Sequence, residues 1–120
     1  YIGALGAGHA MKVLNNYVSA AGLMAAGEAV LIGKRFGIDP HTMVQVINAS
    51  TGRNNSTENK FAQFILSKKF NSGFSMGLMA KDLALAMEVA ESCAVIRDNP
   101  SPGMVAAVRN VAAGTRRDCV

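Results

Sequence analysis

The chain has 120 residues, a formal net charge of +4 and a hydrophobic fraction of 50%. This length is typical of one domain with a real hydrophobic core. The cations form scattered pairs and there is no Trp, which argues against a nucleic-acid-binding surface. Two cysteines and two histidines, all far apart in sequence, do not form a disulfide framework or a metal site. Because the sequence opens without Met, we expect it to be part of a longer protein.

The first predicted element is a long helix from about Gly6 to Phe36. Its apolar residues fall on most sides, a pattern typical of a helix that is surrounded by protein. Its uncharged run Val13–Gly27 is shorter than the roughly 20 apolar residues that span a bilayer. We therefore predict a buried central helix and no membrane contact. The two cysteines fit a reducing, cytoplasmic setting best, and a matrix location after loss of a targeting peptide is the alternative. Cations in the last turn, followed by Gly37, predict the end of the helix.

Four shorter helices are predicted after the first one. Asp39 and Pro40 supply an N-cap and a first helical residue, and the second helix ends near Ser50. Polar, turn-rich segments separate it from the next helices. The remaining predicted helices span about Thr57 to Ser67, Met76 to Ala94, and Ser101 to Gly114. No alternating strand pattern is present, so we predict an all-α fold of about five helices around a long buried first helix.

Each internal helix carries a predicted buried face. These faces place large apolar residues toward the core at helical spacing. The second helix carries the apolar residues Met43, Val44, Val46 and Ile47. The residues expected to point inward are Phe61, Phe64 and Ile65 in the third helix, and Leu78, Leu83, Leu85, Met87 and Val89 in the fourth.

The start of the first helix combines glycines with one lysine. Gly6 and Gly8 do not form a dinucleotide fingerprint, because the third glycine of that motif would fall at Met11 and no strand precedes the turn. The glycines either leave room for a ligand near helix N–H groups or only allow close packing. Lys12 and Asn16 lie four residues apart and so share a helical face. Lys12 is either an ordinary solvated lysine or, if the helix is buried, a desolvated acid or base.

Two further places could carry chemistry. Lys81 and Asp82 are adjacent in an apolar helix and do not face each other, so each needs its own partner if it is buried. A solvent-facing pair is the simpler interpretation. The segment Ser50–Ser56 could bind an anion through Arg53 and its hydroxyls, or it could be a solvated loop.

Two motifs give the chain a family resemblance. The first is G-x-G-x-x-x-K-x-x-N-N from Gly6 to Asn16, and the second is G-F-x-x-x-L-x-x-K-D-L from Gly73 to Leu83. Between them, the segment that ends at Arg53 resembles an S-x-G-R element. In this order and spacing the motifs resemble the C-terminal helical domain of the β-hydroxyacid dehydrogenases, the group that contains 3-hydroxyisobutyrate dehydrogenase and tartronate semialdehyde reductase.

The resemblance implies a fold and a set of roles. The fold would be that of a 6-phosphogluconate-dehydrogenase-like C-terminal domain, which also makes subunit contacts in a homo-oligomer. Lys12 would be the catalytic acid or base, while Asn16 and Gly8 would bind the small hydroxyacid substrate. Lys81 would contact the NAD or NADP cofactor, with Phe74 and Asp82 lining the same region. The resemblance implies no metal.

The family's N-terminal Rossmann domain is absent from these residues. We therefore expect the cofactor to be bound mainly by that domain, and the stretch alone to be inactive. The competing interpretation is a purely structural helical oligomerisation module whose lysines face solvent.

Overall fold

The computed structural model describes residues 1–73 and 75–93, and every regular element in this part of the chain is helical. Helix α1 spans Ala7–Arg35, α2 spans Pro40–Asn48, a π-helix spans Thr57–Ile65, and α3 spans Met76–Ser92. The all-α prediction is confirmed for these residues. The helix predicted from Ser101 to Gly114 lies outside the described residues. None of the described helices is long and apolar enough to cross a membrane.

The ends of α1 and α2 follow their local sequence signals. Gly37 has a φ of +87°, and its N–H donates to the carbonyl of Lys34 while the N–H of Ile38 donates to that of Gly33. This pair of bonds is the Schellman arrangement, in which glycine takes the left-handed position. At the start of α2, the carboxylate of Asp39 accepts a 2.8 Å bond from the Thr42 N–H, as an N-cap does. Both predicted caps are confirmed.

The described chain divides into two compact units. One unit joins Tyr1–Val18 to residues 75–93, and the other is Ser19–Gly73. In the second unit, the core cluster comes from three helices, with Phe61 of the π-helix only 2% exposed. The other buried members of this cluster are Ala26, Val30 and Val44.

The prediction of a buried first helix is wrong for the described chain. Only four residues of α1 are buried: Ala20, Ala26, Val30 and Gly33. Large apolar residues along the same helix are exposed: Met11, Leu14, Val18, Leu31 and Ile32. In the second unit, α2 and the π-helix cover only one stripe of α1. Apolar residues on the other sides of this helix therefore stay exposed to solvent, although the sequence is apolar on most sides.

The predicted buried face of α3 is also partly wrong. The buried residues are Met79, Leu83, Ala86 and Ala90, which lie at one helical spacing. Leu78 and Leu85 are 48% and 36% exposed because each lies one residue away from that stripe. The prediction named Leu83 but missed Met79 and the two alanines, whose small size suits close helix packing. Of the apolar residues in α2, Val44 is buried and Val46 is exposed.

The third helix has a different hydrogen-bond pattern from the one we expected. The N–H of Leu66 donates to the carbonyl of Phe61 at 2.8 Å, a five-residue step that defines a π-helix. Before it, the side-chain oxygen of Asn54 accepts from the N–H groups of Ser56 and Thr57. Thr57 returns a bond to the Asn54 carbonyl. The turn-rich segment therefore ends in a cap, as its composition indicated.

Candidate functional site

The start of α1 leaves open space around its glycines. Gly6 has a φ of +93°, a conformation that side chains other than glycine rarely adopt, and its carbonyl accepts the N–H of Ala10 at 3.0 Å. At both Gly6 and Gly8, an added Cβ would meet no atom of the described residues within 4 Å. Close packing within the described chain therefore does not explain either glycine. Backbone geometry explains Gly6, and Gly8 leaves room for another molecule.

Gly8, Lys12 and Asn16 form one stripe along the first turns of α1. They are spaced by four residues, so each lies one turn above the last. Lys12 is exposed and Asn16 is half-buried. Burial had been the reason to expect a desolvated lysine, and that premise is wrong for the described chain. A chemical role for Lys12 depends on a substrate, a cofactor or further protein covering it.

The side chain of Asn16 connects this stripe to α3. Its Nδ2 donates a 2.7 Å hydrogen bond to a carboxylate oxygen of Asp82, between residues 66 positions apart. Both residues are half-buried, and the bond has a charged acceptor, which makes it stronger than a neutral one. It fixes the amide so that Oδ1, the acceptor atom of Asn16, points away from the carboxylate. The two sequence motifs therefore meet at one place in the first unit.

Asp82 was predicted as a cofactor-region residue, and sequence reasoning did not identify its partner. One sequence signal could have indicated that Asp82 has a partner. Asp82 is adjacent to the buried residue Leu83 on α3 and therefore lies at the edge of the buried face of this helix. We had expected Asp82 and Lys81 to need separate partners if buried. Asp82 has such a partner in Asn16, while Lys81 is exposed. The cofactor roles of both residues stay predictions.

The turn directly before α3 adds one local feature. Ser75 caps α3, its hydroxyl accepting from the Leu78 N–H at 3.3 Å, and Gly73 has a φ of +78°. Phe74, predicted to line the cofactor region, lies outside the described residues. The glycine of the G-F motif thus supplies a left-handed turn just before the helix that carries Lys81 and Asp82.

Arg53 lies in the second unit, at the edge of an open depression. The depression has a volume of about 460 Å³ and is lined by Asn48, Ala49, Ser50, Thr51 and Arg53. The guanidinium of Arg53 is 3.7 Å from the carboxylate of Glu58, and both side chains are solvated. This arrangement is typical of a solvated loop. The geometry gives no support to the alternative that this segment binds an anion. Among the described residues, no three His, Cys, Asp or Glu side chains are grouped as metal ligands.

Comparison with known proteins places these features in the class of nicotinamide-dependent oxidoreductases. A family model described as "NAD-binding of NADP-dependent 3-hydroxyisobutyrate dehydrogenase" matches residues 6–114, and the chain belongs to this family. The family-level resemblance drawn from the two motifs is confirmed.

Individual relatives agree with this assignment. The 2-(hydroxymethyl)glutarate dehydrogenase of Eubacterium barkeri is 38% identical, and the match covers 76% of this chain and 30% of the relative. The mitochondrial 3-hydroxyisobutyrate dehydrogenase of Homo sapiens is 36% identical, with 77% and 29% covered. A structure of Mycobacterium tuberculosis 3-hydroxyisobutyrate dehydrogenase with L-serine superposes with a TM-score of 0.80 at 30% identity, covering 96% of this chain and 40% of that one. The chain spans about 30% of the length of the curated relatives.

One expectation about the cofactor needs correction. We had placed cofactor binding mainly in a domain outside these residues. The family description assigns NAD binding to a region that covers residues 6–114 of this chain. The match therefore covers this chain's own residues and does not support assigning cofactor binding mainly to a domain outside them.

Proposed function

We propose that this chain is the helical, C-terminal part of an NAD(P)-dependent dehydrogenase that interconverts a small β-hydroxyacid and its semialdehyde. The observation that carries the proposal is the 2.7 Å bond between Asn16 and Asp82. It brings the predicted substrate-binding stripe of α1 together with the helix of the second motif. The relatives named for 3-hydroxyisobutyrate and 2-(hydroxymethyl)glutarate give the chemical class of the substrate.

In this proposal, each residue of the stripe has one task. Lys12 moves the proton at the substrate oxygen, taking it from the hydroxyl in oxidation and returning it in reduction. Asn16, held by Asp82, offers its free amide atoms to the substrate. Gly8 leaves the space in which the substrate lies against the helix. A nicotinamide cofactor, when bound, would supply hydride transfer at the substrate carbon.

In this proposal, the cofactor lies beside Lys81. Lys81 is exposed on α3 and adjacent in sequence to Asp82, so its ammonium is available to an anionic group of the dinucleotide. A Rossmann domain needs a parallel sheet, and every regular element within residues 1–73 and 75–93 is a helix. We propose that these residues share the cofactor with a Rossmann domain that precedes them in the full protein. Both units would then belong to one helical domain of a cytoplasmic homo-oligomer.

The second candidate is a purely structural oligomerisation module. It is favoured by the exposure of Lys12 and by the exposed apolar residues of α1. In that case no side chain of the stripe would affect turnover beyond its effect on folding. Substitution of Lys12 separates the two candidates.

The test is Lys12→Ala in the full-length protein. Turnover would be followed by nicotinamide absorbance with 3-hydroxyisobutyrate, 2-(hydroxymethyl)glutarate and L-serine, each with NAD and NADP. We expect turnover to fall by about 10²-fold or more, the usual loss for a missing acid–base group. The melting temperature and the molar mass should stay those of the parent protein.

Lys34→Ala is the matched control for this experiment. Lys34 is also an exposed lysine of α1, but it lies in the last turn and outside the Lys12 stripe. It should leave turnover within a factor of about two, as expected for a surface substitution away from the chemistry. If Lys12→Ala keeps turnover at the level of Lys34→Ala, the catalytic role is refuted and the structural module stands.

A further inference from the structure

His9 is an exposed side chain beside the Lys12 stripe, and the proposed function gives it no task. It lies three residues before Lys12 on α1, so the two share a helical face, with their Cβ atoms about 5–6 Å apart. Side chains of a helix lean toward its N-terminus, which brings the stem of Lys12 over the turn that carries Gly8 and His9. The open space at Gly8 is therefore bordered by an ammonium and an imidazole.

The charges along the stripe are unevenly distributed. No Asp or Glu precedes Glu28 in the sequence, so the first turns of α1 carry no acidic residue. In the part of the chain that the structure describes, no carboxylate forms an ion pair with the His9 imidazole. Asp82 contacts the stripe at Asn16, about two helical turns beyond His9. The stripe therefore has a basic end at His9 and Lys12 and an acidic end at Asn16 and Asp82.

We propose that His9 is a specificity-determining residue that binds a second carboxylate of the substrate. This inference rests on the proposed function and narrows its substrate class to hydroxyacids with two carboxylates. An imidazole N–H donates to a carboxylate, and protonation of the ring adds a charge to that hydrogen bond. The negative charge of Asp82 repels the same carboxylate, so the acidic branch of the substrate is directed toward His9.

The dimensions of such a substrate fit the spacing of the two basic side chains. In 2-(hydroxymethyl)glutarate, four carbon–carbon bonds separate the reacting carbon from the distal carboxyl carbon, which is about 5 Å in an extended chain. This length is close to the distance between residues three apart on one helical face. With the hydroxyl at Lys12, the distal carboxylate reaches His9 across the open position at Gly8. 3-Hydroxyisobutyrate carries a methyl group in place of this branch and does not make the contact.

Substrate selectivity of the full-length protein tests the proposal. The measured quantity is the ratio of kcat/KM for 2-(hydroxymethyl)glutarate to kcat/KM for 3-hydroxyisobutyrate. Both substrates have the reacting hydroxymethyl group and the first carboxylate, so the ratio isolates the acidic branch. His9→Ala should lower this ratio about tenfold, because it removes a hydrogen bond to a charged group. It should leave kcat/KM for 3-hydroxyisobutyrate within a factor of about two of the parent, as expected for an exposed substitution.

Two further variants distinguish the contact from a general effect of substitution. His9→Arg keeps a cationic donor at this place and should hold the ratio within a factor of about three of the parent. His41→Ala is the matched control, because His41 is also exposed but lies on α2, in the other unit. It should leave the ratio unchanged. In the parent, the analogue with a carboxamide in place of the distal carboxylate should lose about tenfold in kcat/KM, and in His9→Ala it should lose little more.

The outcomes separate this inference from the proposed function. A parent protein that oxidises 3-hydroxyisobutyrate as well as the dicarboxylate overturns the role of His9 and leaves the proposed function intact. The same conclusion follows if His9→Ala keeps the ratio of the parent, or if its loss appears only in KM for the cofactor. A parent protein that oxidises neither hydroxyacid refutes the proposed function, and the role of His9 fails with it.

Discussion

The hydrogen bond from Asn16 to Asp82 gives the candidate site a defined polarity. An amide has two donor hydrogens and one acceptor oxygen, and a carboxylate accepts only. With its nitrogen committed to Asp82 at 2.7 Å, Asn16 can present its oxygen to a substrate hydroxyl or to a nearby ammonium. In the proposed function, Asp82 therefore acts through Asn16 and is a positioning residue.

Substitution of Asp82 tests that description. Asp82→Asn keeps the size of the side chain but removes the charge from the bond, and it lets the new amide compete as a donor. A bond to a charged group contributes roughly 1.5–3 kcal/mol, so we expect kcat/KM to fall about tenfold or more. The loss should appear mainly as a higher KM for the hydroxyacid, and the melting temperature should fall by only a few degrees because the folded state loses one hydrogen bond. Steady-state kinetics with varied substrate at saturating cofactor measures this split.

Glu88→Gln serves as the comparison for Asp82→Asn. Glu88 is an exposed carboxylate on the same helix, α3, and the same acid-to-amide change there should leave the kinetic constants unaltered. If Asp82→Asn behaves like Glu88→Gln, the bond has no part in substrate positioning. If KM for the cofactor rises instead, Asp82 belongs to the cofactor region that the sequence originally suggested.

The residue scale also shows where sequence reasoning stopped. Spacing alone placed Lys12 and Asn16 on one face, because the helical period depends only on local backbone geometry. The exposure of Lys12 and the pairing of Asn16 with Asp82 depend on how segments 66 residues apart come together. No local pattern contains that information. The resemblance supplied both motifs, but it assigned Asp82 to the cofactor and gave no hint of the contact with Asn16.

At the scale of elements, the cap of α2 makes a pH-dependent contribution to stability. The pKa of Asp39 is lowered from its ordinary value of 3.8, first by the Thr42 backbone N–H and then by the Thr42 hydroxyl, since both donate to the carboxylate. A carboxyl with a lower pKa in the folded state stabilises the fold when ionised. The contribution of this carboxyl to the free energy of unfolding is complete above its pKa in the unfolded state. It disappears as the pH falls through its pKa in the folded state.

Asp39→Ala should therefore be less stable than the parent protein at neutral pH. The difference in free energy of unfolding between the variant and the parent should become smaller once the pH falls below about 3.8, because protonation then removes the cap from the parent. Urea unfolding monitored by circular dichroism at a series of pH values measures the difference. Asp39→Asn is the control, because an amide oxygen also caps a helix but does not titrate in this range. A gap between Asp39→Ala and the parent that is independent of pH would contradict the assignment.

The ends of the helices were easier to predict than the side of each helix that is buried. Caps such as Asp39 and Gly37 act within one turn, so their signals are complete in the sequence. The buried stripe of α3 depends on what packs against it, and Leu78 lies one residue outside it. The π-helix was predicted as an ordinary helix because its apolar spacing, with Phe61 inward, suits both forms. The wider turn is visible only in the bond from Leu66 to Phe61.

At the scale of the whole molecule, the described part of the chain consists of two units that carry different features. Residues 1–18 with 75–93 hold the Lys12 stripe and the Asp82 contact, while Ser19–Gly73 holds the Phe61 core. The apolar sequence of α1 suggested burial on all sides, and the described chain buries only part of it. Composition reports how much apolar surface a helix has, but it does not say whether that surface is covered by its own chain or by a second one.

The last prediction concerns activity of the 120-residue stretch by itself. If Lys12 acts on a substrate whose hydride goes to a cofactor shared with a Rossmann domain, the stretch has the proton-transfer group without the full cofactor site. We expect no detectable hydride transfer from hydroxyacid to NAD or NADP when the stretch is purified alone. The full-length protein under the same conditions should turn over. Nicotinamide absorbance follows the reaction, and circular dichroism checks that the isolated stretch is helical. Turnover by the folded stretch, abolished by Lys12→Ala, would show that these residues bind the cofactor productively without another domain.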